Sequence, residues 1–254
     1  MLTLTQNIMI LVGTMVASLL LLRFLDRFWP FHERHIENDL IGWQLNVLGT
    51  TYAVVLGFML YTAWTDYGAA ELNVNLEANS LRNVFRLAEG LPEPQRAQLE
   101  MQSRDYADAA IQQDWPRMAR GLIPEGTHKV NETMWRTVMS VKASSASESV
   151  TQDHAISELS ALTTHRRTRL LQCVSSLPAI FWGVLLTGGT LTLVSAAIFG
   201  SSKARVHAYM VFSITLLVTL VMLAIADVNR PFSGWVHVSD YPFVRAQENL
   251  REAQ

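Results

Sequence analysis

Apolar positions along this chain collect into four uncharged runs, at about residues 2–22, 40–64, 177–199 and 206–226. Each is near the ~20 residues an α-helix needs to cross the hydrocarbon core of a bilayer. Arg23, Asp66 and Asp227 close three of them. A charge at the bilayer centre costs roughly 2.5–3.5 kcal/mol on insertion scales, so these residues mark span ends. The pattern predicts an all-α, polytopic membrane protein. Residues 1–64 carry spans one and two, residues 65–176 form a helical extramembrane domain, residues 177–228 carry spans three and four, and residues 229–254 are a C-terminal tail.

Between spans two and three the period changes. From Asp66 to Glu89 the positions Val74, Ala78, Leu81, Phe85 and Ala88 recur at steps of four and three, the stripe of a helix with one buried side. Span two is therefore expected to continue as one long helix, ended by Gly90, Pro92 and Pro94. A second amphipathic helix, with Leu99, Tyr106, Ala110 and Trp115, runs to Pro116. Gly121, Pro124 and Gly126 mark a loop, a short helix covers about 134–141, and Ser144 to Ser149 reads as a mobile connection. A last helix from Thr151, with Ile156, Leu159, Leu162 and Leu170, is expected to run straight into span three.

Span two has two contrasting faces. At ~100° per residue, Gly42, Asn46, Gly49, Ala53 and Gly57 share one arc, a small-residue seam that suits close helix packing. The opposite arc carries Gln44, Thr51, Val55, Phe58 and Thr62. Two readings of that arc stand. It packs on span one or lipid, its threonines bonding to their own helix; or several copies surround an axis, with Val55 and Phe58 as a hydrophobic neck. Span three repeats a small-residue seam with Gly183, Thr187, Thr190 and Val194, beside Gly188 and Gly189.

The membrane-proximal helices of spans two and three should pair antiparallel. Counting from Trp64 and to Leu177 sets Glu71 beside Arg169, and Glu77 beside Arg166 or Arg167. The run His165-Arg166-Arg167-Thr168-Arg169 then reads as ion pairs and headgroup contacts, or as an anion-attracting cluster at Arg166, Arg167 and Arg169 facing a vestibule.

Charge and composition narrow the function classes. A formal net charge of −2, without a long Lys or Arg block, argues against a nucleic-acid partner. The single cysteine, Cys173, permits no intrachain disulfide or thiolate-rich metal site. The first run has no basic residue before it and no clear cleavage pattern after it, so it is expected to remain as a helix rather than leave as a signal peptide. Lys and Arg are nearly balanced across the two sides, and charge alone leaves orientation open. No span holds a central ionisable residue, which disfavours ion-coupled transporters but not a channel with a dry neck. His32-Glu33-Arg34-His35 lacks zinc-protease spacing and reads as a solvated loop, Asn131-Glu132-Thr133 fits a glycosylation sequon, and no motif recommends an enzyme, a cofactor or a metal.

A family resemblance rests on several segments together. These are Tyr52-Ala53-Val54-Val55-Leu56-Gly57-Phe58 with Trp64, Glu77-Ala78, Gly90-Leu91-Pro92-Glu93-Pro94, and Tyr106 with Asp114-Trp115-Pro116. Arg166-Arg167 with Arg169-Leu170, Leu177-Pro178 with Trp182, and Asp227 with Pro231-Phe232-Ser233-Gly234 extend it over most of the chain. Together they resemble the bacterial bestrophin-like membrane proteins. The resemblance to bestrophins implies a homopentameric anion channel, cytosolic termini, a helical cytosolic domain between spans two and three, and a pore lined by span two. It further implies a bacterial inner-membrane location, with lipids and small inorganic anions as partners. The calcium-clasping acidic run of bestrophins is not matched after Gly234, so Asp227, Pro231 and Gly234 are expected to act structurally. The rival expectation is a non-conducting oligomeric scaffold or sensor whose cytoplasmic helices bind a partner.

Overall fold

The structure is a computed structural model that describes residues 4–252, the side chains of Phe31 and His32 excepted. Each apolar run lies in a helix: α1 (Leu4–Phe28), a short connecting α2 (Phe31–Arg34), the first half of α3 (Asn38–Ala88), and further on α8 and α9. Between them come α4 (Gln95–Ala109), a π-helical turn (Ala110–Asp114), α5 (Trp115–Met118), α6 (Gly126–Met139) and α7 (Ala146–Val174). Then follow α8 (Ala179–Ile198), α9 (Ala204–Val228) and α10 (Tyr241–Glu252). No strand occurs among the described residues. The expectations for Leu2, Thr3 and the His32 side chain, and for the last two residues of the expected tail, lie outside the described residues. The helices and their apolar surfaces make this a membrane protein: the four long apolar helices keep only 11–33% of their most hydrophobic stretch buried within the chain.

The chain divides into two units. Residues 4–65 with 176–229 form an apolar one, and 66–175 with 230–252 a polar one; α3 contributes to both. In the apolar unit α1 lies against α9, where Thr14 and Thr219 share a hydrogen bond at 3.2 Å. The short loops are tied by Arg34, which is 1% exposed, pairs with Asp26 and donates to the Ala197 carbonyl at 3.0 Å. Asn38 closes the same junction by bonding both the carbonyl and the N–H of Gly200, at 2.7 and 2.8 Å. The expectation of a solvated loop at Arg34 is thus corrected: a guanidinium with two fixed acceptors can be buried where an unpaired one cannot.

In the polar unit, α3 residues Val74, Ala78, Leu81, Phe85 and Ala88 do form the buried stripe. They meet Leu99 and Tyr106 of α4, Met134 and Val138 of α6, and Leu159 and Leu162 of α7. Four sequence expectations change here. The helix expected to stop at Pro116 continues to Met118, because the widened π turn before it accommodates a residue that cannot donate to the ladder. The mobile connection at Ser144–Ser149 is mostly helix: the Ser145 hydroxyl accepts from Glu148 N–H at 3.2 Å, while the Glu148 carboxylate accepts from Ser144 N–H at 2.7 Å. Asn131 of the sequon is buried, its amide oxygen accepting from the Thr163 hydroxyl at 3.2 Å. The expected tail folds back as α10, whose Phe243, Ala246 and Leu250 enter the core. Gly234 has φ +103°, a conformation that favours glycine, in the turn that lets Val238 N–H reach the Pro231 carbonyl at 2.7 Å.

Candidate functional site

The face by which α3 packs in the apolar unit is neither of the two arcs singled out in the sequence. Ile41, Tyr52, Leu56 and Ala63 are buried, on a third arc between them. Tyr52 lies over Gly188 and Gly189 of α8, where a Cβ would stand 2.6 and 2.8 Å from it, and its hydroxyl donates to the Leu185 carbonyl at 2.9 Å. The close approach therefore comes from two glycines on span three accepting a ring from span two. The seam expected to pack does not do so within the chain. A Cβ on Gly49 or Gly57 would meet nothing within 4 Å, one on Gly42 makes only ordinary contact with Phe199 at 3.6 Å, and Asn46 and Ala53 are exposed.

The opposite arc is largely exposed as well. Gln44, Thr51 and Thr62 are exposed, and Phe58 is 64% exposed. Val55 departs from its expected place beside Phe58: it is half-buried against the Tyr52 cluster. The Thr62 hydroxyl donates to the Phe58 carbonyl at 2.9 Å, satisfied by its own helix. The Gln44 and Asn46 amides make no hydrogen bond within the described residues. Around Gly57, where no side chain projects, Val54, Phe58 and Tyr61 border a shallow groove of about 450 Å³.

The arginine run lies in the polar unit, and there the structure corrects its reading. Arg169 is fully buried, donates through Nε and Nη2 to the two Glu77 oxygens at 2.7 and 3.0 Å, and through Nη2 to Asp114 at 3.0 Å. Its guanidinium lies 5.3 Å from the Trp115 ring centre and 5.9 Å from that of Phe243. The Tyr106 hydroxyl donates to Glu77 at 2.7 Å. Arg166 donates to the Thr127 hydroxyl at 2.8 Å, and that hydroxyl donates to Asp114 at 2.6 Å. Two carboxylates and two guanidiniums close a network with no net charge. Arg166 and Arg169 are thus occupied rather than available to anions; Arg167 alone of the three is exposed.

The electrostatics agree with the geometry. Burial opposes the charge of Arg169, yet Glu77, with Tyr106 and Asp114, outweighs it and holds the guanidinium above its ordinary pKa. Burial, then the neighbouring Glu77 charge, pushes the Tyr106 phenol well above its usual range.

Glu71 was expected beside Arg169, and it is not there: it is exposed and Glu77 takes that position. Across α3 and α7, Asn73 bonds His165 at 2.9 Å and Asn83 bonds Glu158 at 3.2 Å, close to the counted backbone register. Helical side chains lean towards their own N-terminus. Glu77 leans to the level of Asn73 and Arg169 to that of His165, which face one another, so the two long side chains meet a turn away from their Cα positions. The helix from Thr151 does not run straight into span three as expected: residues 175–178 are not helical, and Leu177 N–H is held by the Asn229 side chain at 2.8 Å. Asp227 sits half-buried in the last turn of α9, and Pro231 is buried. Sequence reasoning missed Asp114 and Thr127 as network members. Asp114 had a signal in its place before Trp115-Pro116; Thr127 had none. Among the described residues no group of three or more His, Cys, Asp or Glu is placed to hold a metal.

Comparison with known proteins places this architecture. A crystal structure of a bacterial bestrophin homologue from Klebsiella pneumoniae, an isoleucine-to-threonine variant, superimposes with a TM-score of 0.73 at 11% identity, covering 97% of this chain and 99% of that one. Another structure of the Klebsiella pneumoniae homologue, phased on zinc, gives 0.69 at 11% identity over 95% and 97%. A membrane protein with a proline-to-alanine substitution gives 0.71 at 11% over 98% of both chains. At such identities the likeness is one of fold. No curated protein matches the chain. A family profile described as the Bestrophin-like domain does match, over residues 12–243, and this coverage, with four membrane-length helices in the same fold, shows that the chain belongs to the bestrophin-like family.

Proposed function

We propose that this chain is the subunit of an oligomeric, anion-selective channel in a bacterial inner membrane, with α3 lining the path and the polar unit in the cytoplasm. One observation carries the reading: the membrane-length part of α3 turns Gln44, Asn46 and Thr51 away from the chain's own helices, with the two amides unbonded. An amide left unsatisfied in hydrocarbon costs several kcal/mol. A neighbouring subunit or a wet path removes that cost. Phe58, one turn before Thr62 and exposed, is placed to act as an apolar constriction that gates by dewetting, with Val55 at its edge. Anion preference is supported by the bestrophin resemblance. Five subunits follow from the resemblance.

The rival, a non-conducting scaffold, draws on Leu72 and Leu76 of α3, which are 60% and 40% exposed in the polar unit and offer a partner an apolar strip. Halide flux into liposomes separates the two. The purified protein should pass chloride or iodide above empty liposomes, Phe58→Ala should pass more, and Gln44→Leu less. Protein that reconstitutes as an oligomer yet conducts nothing, with or without Phe58, would sink the channel reading in favour of the scaffold.

A further inference from the structure

A second feature of the apolar unit is independent of α3 and of conduction. Where α1 leaves its apolar run, it and the start of α9 border a cleft of about 560 Å³. Its floor is Val16, Leu19 and Leu20 of α1, and its far wall is opened by two small residues one turn apart, Ala204 and Ala208 of α9. From Val16 to Arg23 the cleft follows about 10 Å of helix, at ~1.5 Å per residue. The apolar part is thus elongated, and it lies at the level of hydrocarbon.

The polar end is different in kind. Arg23 and Arg205 both line it, both are exposed, and neither forms an ion pair or hydrogen bond within the described residues. The carboxylate there, Asp26, is already engaged by the buried Arg34. Counting the two lining arginines, Asp26 and Arg34, the mouth keeps two positive charges in excess. An apolar trough that ends in two unneutralised guanidiniums at the edge of the apolar layer matches the two halves of one molecule: an acyl chain and a phosphate.

We propose that this cleft between α1 and α9 is a binding site for an anionic phospholipid, with Arg23 and Arg205 on the headgroup phosphate and one acyl chain along Leu19, Leu20 and Ala208. The lipid belongs to the leaflet on the side of the short loops. Arg34 does not contact it directly; by holding Asp26, it keeps that carboxylate from pairing with either headgroup arginine. Specificity comes from charge rather than shape, because the trough is apolar throughout and accepts any chain.

The test is native mass spectrometry of the assembled protein after exchange into micelles doped with phosphatidylglycerol or phosphatidylcholine. Two arginines at an anionic surface give a preference of roughly thirtyfold for the anionic lipid. Arg23→Gln with Arg205→Gln should bring that preference close to parity while leaving the thermal midpoint in phosphatidylcholine micelles unchanged, since both side chains are unpaired. Ala208→Trp, which fills the trough, should reduce retention of both lipids. Millimolar inorganic phosphate should not displace phosphatidylglycerol. Retention of the full preference by the double variant, unchanged binding in Ala208→Trp, or displacement by inorganic phosphate alone would each overturn the proposal.

Discussion

Arg169 decides the interior of the polar unit. Its two carboxylate partners are completely buried, so removing the guanidinium leaves Glu77 without a cation and Asp114 with only Arg166, reached through the Thr127 hydroxyl. Arg169→Met should destabilise the unit by about 3–5 kcal/mol, the range for a broken buried pair, read as loss of protease resistance or a fall in thermal midpoint. Glu77→Gln should cost less, because the isosteric amide oxygen still accepts from Arg169 and the guanidinium keeps its bond to Asp114. Tyr106 supplies a pH dependence whose sign follows from its raised pKa. The stabilisation by the neutral buried phenol is complete below the unfolded value of 10.0 and is lost as pH rises through the higher folded value. Tyr106→Phe carries no such proton. It should be less stable at neutral pH by about 1.5–3 kcal/mol for the lost bond to a carboxylate, yet show a shallower decline above pH ~10. An equally steep alkaline decline in both proteins would show that Tyr106 does not titrate on unfolding.

At the scale of elements, the contact that holds α3 to α8 is a ring on two glycines, and the glycines of α3 itself are unused within the chain. This separates two kinds of substitution that the sequence treats alike. Gly188→Val pushes a side chain into Tyr52 and should destabilise the apolar unit by roughly 1–3 kcal/mol, as overpacking does, visible as lower yield and lower thermal stability. Gly49→Leu enters open space in the single chain. It should leave the fold of the protomer intact and change only what α3 meets in the assembly, as altered oligomer size or altered flux. Misfolding of Gly49→Leu in a dissociated, detergent-solubilised protomer would contradict this division. The small-residue seam was legible from its spacing, but spacing shows only that residues share a side of a helix. Which side meets a neighbour depended on where Gly188 and Gly189 stand on another helix, far away in sequence.

On the scale of the whole molecule, the apolar and polar units are built from interleaved segments, so residues 230–252 return to the polar unit, which α3 enters at Asp66. The proposed orientation, with the termini and the polar unit on the cytoplasmic side, is open to a labelling test. With the native Cys173 replaced, Ser145→Cys should stay unlabelled by an impermeant thiol reagent in intact cells, while Glu33→Cys between α1 and α3 should label. The reverse pattern would invert the orientation and place the proposed lipid cleft in the other leaflet. The same experiment on the native protein should show Cys173 slow to react even after lysis, since it is 8% exposed and burial raises the pKa of its thiol.

The sequence by itself determined the helical class, the four membrane-length helices, the continuation of span two through residues 66–88 and its buried stripe. These depend on sums along the chain: enough apolar surface in one run, or one period maintained over several turns, outweighs any single residue. The cap at Ser145 and Glu148 and the apolar face of Phe243, Ala246 and Leu250 are local signals too, yet the segments that hold them were expected as a mobile connection and a tail. Tertiary structure alone decided that Glu77 rather than Glu71 meets Arg169, that Asp114 and Thr127 join them, that Arg34 is buried, and that Tyr52 instead of the glycine seam makes the tight helix contact. Each of these depends on partners from different elements, brought together by the lean of long side chains or by space on a distant helix. No local period encodes either.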